Sequence, residues 1–183
     1  MITVFRGGWV VTQNRDRDVF RGDVAVEDEK IIYVGPKFEG SADREVDASG
    51  DVVMPGMVNT HTHVAMSVMK GSLDDLLFPD FLNASFRIDA DRTDGDIDVG
   101  AKLGCMEMIR GGTTTFMDLY YSEDVIAKAV REAGIRGVLC WCVLDEDKTT
   151  QSGNPLKNCA RFCSTHKDIR KIVPGVGLQG VYA

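Results

Sequence analysis

The sequence predicts an α/β protein in which a small β-sandwich portion, residues 1–51, precedes four strand–helix units in residues 52–183. The first observation behind this prediction is that residues 1–50 hold short β-like runs separated by turn residues. The second is that apolar strands alternate with helices from residue 52 onward, a pattern typical of a parallel sheet. The third is that no internal repeat or low-complexity linker interrupts the chain.

In the first portion, the residues between the β-like runs have the composition of turns, as in Gly7-Gly8 and Gly35-Pro36. We therefore expect four separate short strands, each enriched in β-branched and aromatic residues. These predicted strands cover residues 2–5, 9–12, 23–26 and 30–34.

In the second portion, the first predicted helix begins at Thr93, a capping residue, and ends at Gly111-Gly112. The segment 64–92 is too long for an ordinary connection, and such loops usually form functional lids or pockets. Four strand–helix units correspond to half of a (β/α)8 barrel, which typically needs about 250 residues. The predicted strands cover residues 52–61, 113–119, 135–144 and 172–179, and the later helices cover 124–133 and 155–166.

Composition and charge argue against several classes of function. An apolar fraction of 44% and a charged fraction of 27% are those of a soluble globular protein. A net charge of −7 with a pI near 4.9 argues against nucleic acid or an anionic membrane as a partner. No apolar run approaches the roughly 20 residues of a membrane span. Five cysteines without a secretory signal favour reduced thiols and a cytoplasmic location.

Two of the three histidines, His61 and His63, follow the apolar run of the first predicted barrel strand. Alternate residues of a strand project from the same face, about 6–7 Å apart. Two imidazoles so placed can bind one transition metal and leave room for other ligands. The alternative interpretation is a pair of surface histidines on an edge strand.

Four stretches resemble the signature of the amidohydrolase superfamily: residues 47–63, 69–71 with 74–75, 105–120 and 132–136. The resemblance is to the branch that contains S-adenosylhomocysteine and methylthioadenosine deaminases, triazine chlorohydrolases and guanine deaminases. It implies the front half of a metal-dependent (β/α)8 TIM-like barrel, with His61 and His63 as ligands of one Zn²⁺ or, alternatively, Fe²⁺. It also implies hydrolysis of a carbon–nitrogen bond, namely deamination of a purine nucleoside or related heterocycle by a metal-bound hydroxide.

By the same resemblance, the remaining metal ligands and the glutamate that shuttles protons would lie beyond Ala183. We therefore expect this 183-residue chain to be inactive alone, and the full-length protein to be a homo-oligomer that acts on a small heterocyclic substrate. A triazine-type chlorohydrolase, which uses the same attack with a different leaving group, is the enzymatic alternative. A catalytically incomplete half-barrel fragment with a binding or assembly role is the other alternative.

Three further residues are candidates for the site. Asp89 takes the place of an acid that binds ribose in the deaminases, although the proline of their pattern is absent here; an exposed loop charge is the alternative. Gln179, in the stretch 175–182, takes the place of a pocket histidine, and its amide suits the polar edge of a heterocycle. The alternative is that Gln179 only ties the end of the fourth strand to a neighbouring loop. Asp118 is either a carboxylate that supports the metal site or pocket, or a structural acceptor for backbone N–H groups.

Overall fold

The computed structural model describes residues 1–146, 149 and 151–180. The chain forms two compact units, Met1–Pro55 and Gly56–Ala183. Among the described residues, no helix is long and apolar enough to cross a membrane.

The first unit is a five-stranded sheet. Its strands are ordered β3-β2-β1-β4, and β5 pairs with β1. The predicted β-sandwich portion is therefore one sheet within the described residues, and its second layer remains a prediction. The strands are β1 (Ile2–Val11), β2 (Val19–Glu27), β3 (Lys30–Gly35), β4 (Arg44–Asp47) and β5 (Val52–Val53).

The predicted turn at Gly7-Gly8 is wrong, because both glycines lie inside the single long strand β1. The pairing of β1 with β2 shifts between Phe5 and Gly8, and Gly7 has a φ of +68°. Glycine adopts this left-handed conformation without a steric penalty, so the strand absorbs the irregularity as a bulge and continues.

The predicted strand 52–61 is two strands that belong to different units. β5 pairs in parallel with β1, whereas β6 (Met57–Thr62) pairs in parallel with the second strand of the other sheet. Pro55, which lacks an N–H donor, lies between them. The units consequently divide between Pro55 and Gly56 rather than after residue 51.

The second unit contains a parallel sheet in the order β6-β7-β8-β9, as the sequence predicts. Each of the last three strands follows a helix, which is the strand–helix alternation of a barrel half. The further strands are β7 (Thr113–Tyr120), β8 (Arg136–Val143) and β9 (Ile172–Leu178). The helices are α1 (Phe78–Asp91), α2 (Asp94–Arg110), α3 (Glu123–Ala133) and α4 (Pro155–His166).

The core of this unit joins one face of the sheet to the helices. Phe116 of β7 and Leu139 of β8 are fully buried with Ile97, Ile126 and Phe162 of the helices. The sheet also carries exposed apolar side chains, which are those of Met57, Val58, Met117, Val173, Val176 and Leu178. The helices therefore stabilise one face of the sheet, while apolar surface remains accessible on its strands.

The segment 64–92, expected to be a loop, contains a short 3-10 helix (Val64–Met69) and the whole of α1. No side chain caps the first turn of α1, so the sequence offers little signal for its start. By contrast, the predicted cap of α2 is confirmed: the Thr93 hydroxyl accepts from the Asp96 N–H, and the Asp96 carboxylate accepts from the Thr93 N–H.

The close approach of α2 to the 3-10 helix depends on Gly100, where an added Cβ would lie 2.1 Å from the carbonyl oxygen of Ala65. Because backbone cannot move aside easily, we expect Gly100→Ala to lower the free energy of unfolding by about 1–3 kcal/mol. Urea denaturation measures this change. In the same helix, a Cβ at Gly95 would meet only the Thr93 hydroxyl, at 3.5 Å. Gly95→Ala should therefore be neutral or stabilising by up to about 1 kcal/mol; equal effects of the two substitutions would contradict this packing.

Candidate metal and substrate site

The carboxyl ends of the four parallel strands bring the candidate residues to one edge of the sheet. Thr62 is in register with Asp118, Tyr120 with Trp141, and Val143 with Leu178. His63 directly follows β6, and Gln179 directly follows β9. Active sites of barrels of this kind lie at this edge, because the loops that follow the strands meet there.

The two histidines are close enough to bind the same metal ion. The ring centroids of His61 and His63 lie 5.1 Å apart, with the ring planes at 76°. His63 Nδ1 lies 2.6 Å from the carbonyl oxygen of Leu119. Since a carbonyl only accepts hydrogen bonds, Nδ1 carries the proton, and Nε2 keeps its lone pair for a metal. Metal-binding histidines commonly donate their other ring N–H to a backbone carbonyl, so this contact is compatible with the predicted role of His63.

Asp118 fixes the chain on both sides of His63. Its Oδ1 accepts a hydrogen bond from the Thr62 hydroxyl at 2.6 Å and from the Val64 N–H at 2.7 Å. Complete burial raises the pKa of Asp118 to about 6, although these hydrogen bonds oppose the shift. Its Oδ2 is buried without a partner among the described residues. The residue accepts a backbone N–H and also supports the segment that carries His63, so both roles considered for it remain compatible with its position.

Glu123, which sequence reasoning missed, is a second buried acid behind this edge. It lies in the first turn of α3 and is fully buried. Its Oε1 accepts from the Tyr120 N–H at 3.2 Å, and its Oε2 has no partner among the described residues. Burial, together with the charge of Asp118, raises the pKa of Glu123 well above its ordinary value. An acid at a helix start is so common that its sequence position gives no signal of burial.

A cavity of about 110 Å³ opens beside His63. Helix α1 contributes Phe81, Leu82 and Phe86 to its lining, and Gln179 lines it as well. The pocket expected in the segment 64–92 is therefore formed by a helix instead of a loop. A largely apolar cavity with a few polar groups is typical of small-molecule sites.

Asp89 borders this cavity, so the alternative of an exposed loop charge is wrong. Its Oδ1 accepts hydrogen bonds from the Tyr120 hydroxyl and from Arg92. Ser85, one helical turn earlier, borders the same cavity, and its hydroxyl is buried without a partner among the described residues. Sequence reasoning missed Ser85 and Arg92, because neither belongs to a recognisable pattern.

Gln179 borders the cavity and also contacts the neighbouring strand. Its backbone N–H donates to the Val143 carbonyl at 3.3 Å, and its Oε1 lies 3.9 Å from Cys142 Sγ. The predicted substrate contact and the alternative of a tie to a neighbouring segment are therefore compatible. Val181 and Tyr182, the end of the stretch that resembles the fourth-strand motif, lie outside the described residues.

The model of the Amidohydrolase family matches residues 52–177. Over 161 residues, the chain is 40% identical to a 5'-deoxyadenosine deaminase of Methanosarcina mazei. The alignment covers 87% of this chain and 37% of that protein. It is 38% identical to a 5-methylthioadenosine/S-adenosylhomocysteine deaminase of Thermococcus kodakarensis, covering 88% of this chain and 38% of the relative. The chain thus spans little more than a third of the length of these curated relatives.

Solved structures with the same fold include an adenosine deaminase from Xanthomonas campestris with bound zinc (TM-score 0.86, 25% identity, covering 96% of this chain and 42% of that one). An atrazine chlorohydrolase from Arthrobacter aurescens complexed with zinc has a TM-score of 0.82 at 19% identity, covering 98% of this chain and 47% of that one. At that identity the likeness concerns the fold alone. The predicted fold, an N-terminal sheet portion followed by a half barrel, is confirmed.

The raised pKa of Glu123 predicts that replacing this residue stabilises the folded protein by an amount that depends on pH. As the pH rises through about 4.3, the unfolded state releases this proton while the folded state keeps it, so the unfolded state becomes progressively favoured. Glu123→Gln, which is neutral at every pH, should match the wild type near pH 4 and unfold at a higher temperature near pH 7. Thermal unfolding across this range measures the difference. Glu39→Gln makes the same chemical change at an exposed position and is the control.

Proposed function

Because the chain belongs to the amidohydrolase family, we propose that the whole protein is a metal-dependent hydrolase that deaminates a purine nucleoside or a related heterocycle. The observation that carries this proposal is that His63 lines a cavity together with Gln179 and Asp89, while the ring of His61 lies 5.1 Å from that of His63. The relatives at 38–40% identity are named as nucleoside deaminases, which favours a nucleoside over a triazine.

The two histidines fit a metal site, because the Nδ1–H of His63 is taken by the Leu119 carbonyl and its Nε2 is left for an ion. We propose that His61 and His63 hold one Zn²⁺ or, alternatively, Fe²⁺. Such an ion, when bound, supplies Lewis-acid activation of the attacking water. Among the described residues, no group of three or more metal-ligating side chains occurs, and catalytic zinc sites typically have three protein ligands. We propose that the remaining ligands and the proton-shuttling glutamate follow Ala183.

The other residues of the cavity would bind and orient the substrate. Gln179 offers an amide carbonyl and an NH₂ group to the polar edge of a heterocyclic ring. Asp89 offers a carboxylate oxygen to a hydroxyl group of the sugar. Asp118 holds Thr62 and Val64, and through them keeps His63 in place. We further propose that the full-length protein is a cytoplasmic homo-oligomer and that residues 1–183 alone are inactive.

The metal assignment predicts that full-length protein with His61→Ala and His63→Ala loses most of its metal, because both proposed ligands from this part of the chain are gone. Metal analysis after dialysis measures the content. His166→Ala removes the third histidine, whose ring packs on Phe162 of α4. That control should retain the wild-type content. Wild-type metal content in the double variant would show that His61 and His63 are not ligands.

The substrate assignment predicts that Gln179→Leu lowers kcat/KM more than about tenfold, a cost of roughly 1.5–3 kcal/mol, because a polar substrate edge loses its partner. Its metal content should stay at the wild-type level. Full-length protein is assayed against adenosine, S-adenosylhomocysteine, guanine, a pterin and a chlorotriazine. Unchanged kinetics on the best substrate would exclude the contact, and release of chloride from the triazine alone would favour the chlorohydrolase.

A further inference from the structure

Arg92 is an almost fully buried arginine directly after α1, although arginine is rarely buried without a specific partner. Its side chain is 5% exposed, and that of its ionic partner Asp89 is 8% exposed. Burying two charges is costly unless the geometry and the surrounding hydrogen bonds are good. The position of this pair beside the cavity therefore calls for a physical explanation.

The guanidinium of Arg92 joins three segments that surround the site. Nη1 donates to Asp89 Oδ1 at 3.1 Å and to the Tyr120 hydroxyl at 2.6 Å. Nη2 donates to the carbonyl oxygen of Ala65 at 2.5 Å. Ala65 lies two residues after His63, and Tyr120 ends β7, directly after the Leu119 carbonyl that holds the His63 ring. Arg92 thus ties α1 to both segments that position this histidine.

Both partners of the Asp89 carboxylate use the same oxygen. The Tyr120 hydroxyl and Arg92 Nη1 each donate to Oδ1, whereas Oδ2 accepts no hydrogen bond from the residues that the structure describes. Since Asp89 borders the cavity, Oδ2 is the oxygen left for a ligand. The rotation of the carboxylate is fixed by Oδ1, so the position of Oδ2 is fixed as well.

Ser85 provides an independent indication that this wall of the cavity receives a polar group. It lies four residues before Asp89, and residues so spaced share one face of a helix. Its hydroxyl is buried and has no partner among the described residues. A buried hydroxyl without a partner costs about 1–3 kcal/mol, a penalty that a polar ligand in the cavity would relieve.

We propose that Arg92 is a positioning residue: it fixes Asp89 so that Oδ2 receives a hydrogen bond from a hydroxyl group on the sugar of the substrate. This inference rests on the proposed deamination of a nucleoside. Because Arg92 and Asp89 together carry no net charge, the wall offers an acceptor that suits a neutral hydroxyl better than a cation. Arg92 would thereby set the preference for substrates with ribose hydroxyls, without touching them.

The test compares adenosine with 2′,3′-dideoxyadenosine, which carries the same purine ring without the two ribose hydroxyls. Full-length wild type should prefer adenosine, and Arg92→Met should lower that preference at least about tenfold, because the acceptor is no longer held in place. The change should reside mainly in KM for adenosine, with a much smaller change in KM for the dideoxy compound. Arg87→Met, at an exposed arginine within α1, is the matched control and should keep the wild-type preference.

A double-substitution cycle separates positioning from a general structural role. Asp89→Asn should lower the preference for adenosine in the same way, and adding Arg92→Met to it should lower the preference no further. The double variant removes both buried charges and so leaves neither unpaired. If Arg92→Met alone fails to fold, the double variant is compared with Asp89→Asn instead. Tyr120→Phe, which removes only the second donor to Oδ1, should give a smaller loss in the same direction. A loss in Arg92→Met that is equal for both nucleosides, or additive with Asp89→Asn, would overturn the inference.

The proposed function and this inference fail in distinguishable ways. A wild-type protein that deaminates neither of these nucleosides nor any other compound of the substrate screen contradicts the proposed deamination, and the inference falls with it. A wild-type protein that turns over both without a preference contradicts the inference alone. Partial retention of the preference in Arg92→Lys, which keeps the charge but loses the planar fork, supports the role of the guanidinium geometry.

Discussion

The buried carboxylate of Asp118 is the interaction on which the geometry of the site depends. Its Oδ1 holds Thr62 and Val64, the residues on either side of His63. The next residue along β7, Leu119, supplies the carbonyl that orients the His63 ring. The residue after that, Tyr120, donates its hydroxyl hydrogen to Asp89. Three consecutive residues of one strand therefore fix both the His63 side and the α1 side of the cavity, so a shift of this strand end would displace both together.

The parts of the fold that the sequence predicts well are those with local signals. Helix α2 begins at a capping pair, Thr93 with Asp96, and helix α4 begins after Asn154, which accepts from the Lys157 N–H. Helix α1 has no side-chain cap, and its apolar residues Phe81, Leu82 and Phe86 line the cavity and are not part of the hydrophobic core. The sequence predicts two strands where the structure has the single strand β1, because glycine composition does not distinguish a turn from a bulge. Only pairing with β2 decides that question.

For the site, the sequence indicates the residues that carry a pattern and misses those defined by packing. His61 and His63 stand out because histidine is rare in this chain and their spacing suits a strand. Asp89 stands out through the resemblance, but its burial depends on its contacts with Arg92 and with Tyr120. Tyr120 lies about 30 residues further along the chain. Glu123 and Ser85 are ordinary residues in their local sequence. Their burial follows from contacts between distant segments, which no local pattern encodes.

The distribution of unpartnered polar atoms points to the same edge of the sheet. Among the described residues, five buried side-chain atoms lack a hydrogen-bond partner, and four of them belong to Ser85, Arg92, Asp118 and Glu123. Such atoms are rare in folded proteins, because each costs the desolvation of a polar group. Ser85 lines the cavity, and Arg92 and Glu123 hydrogen-bond to Tyr120, which lines it as well. These atoms fit an arrangement that is completed by a ligand, an ion or further chain. Stability alone would favour apolar replacements at these positions, so their presence argues that function selected them.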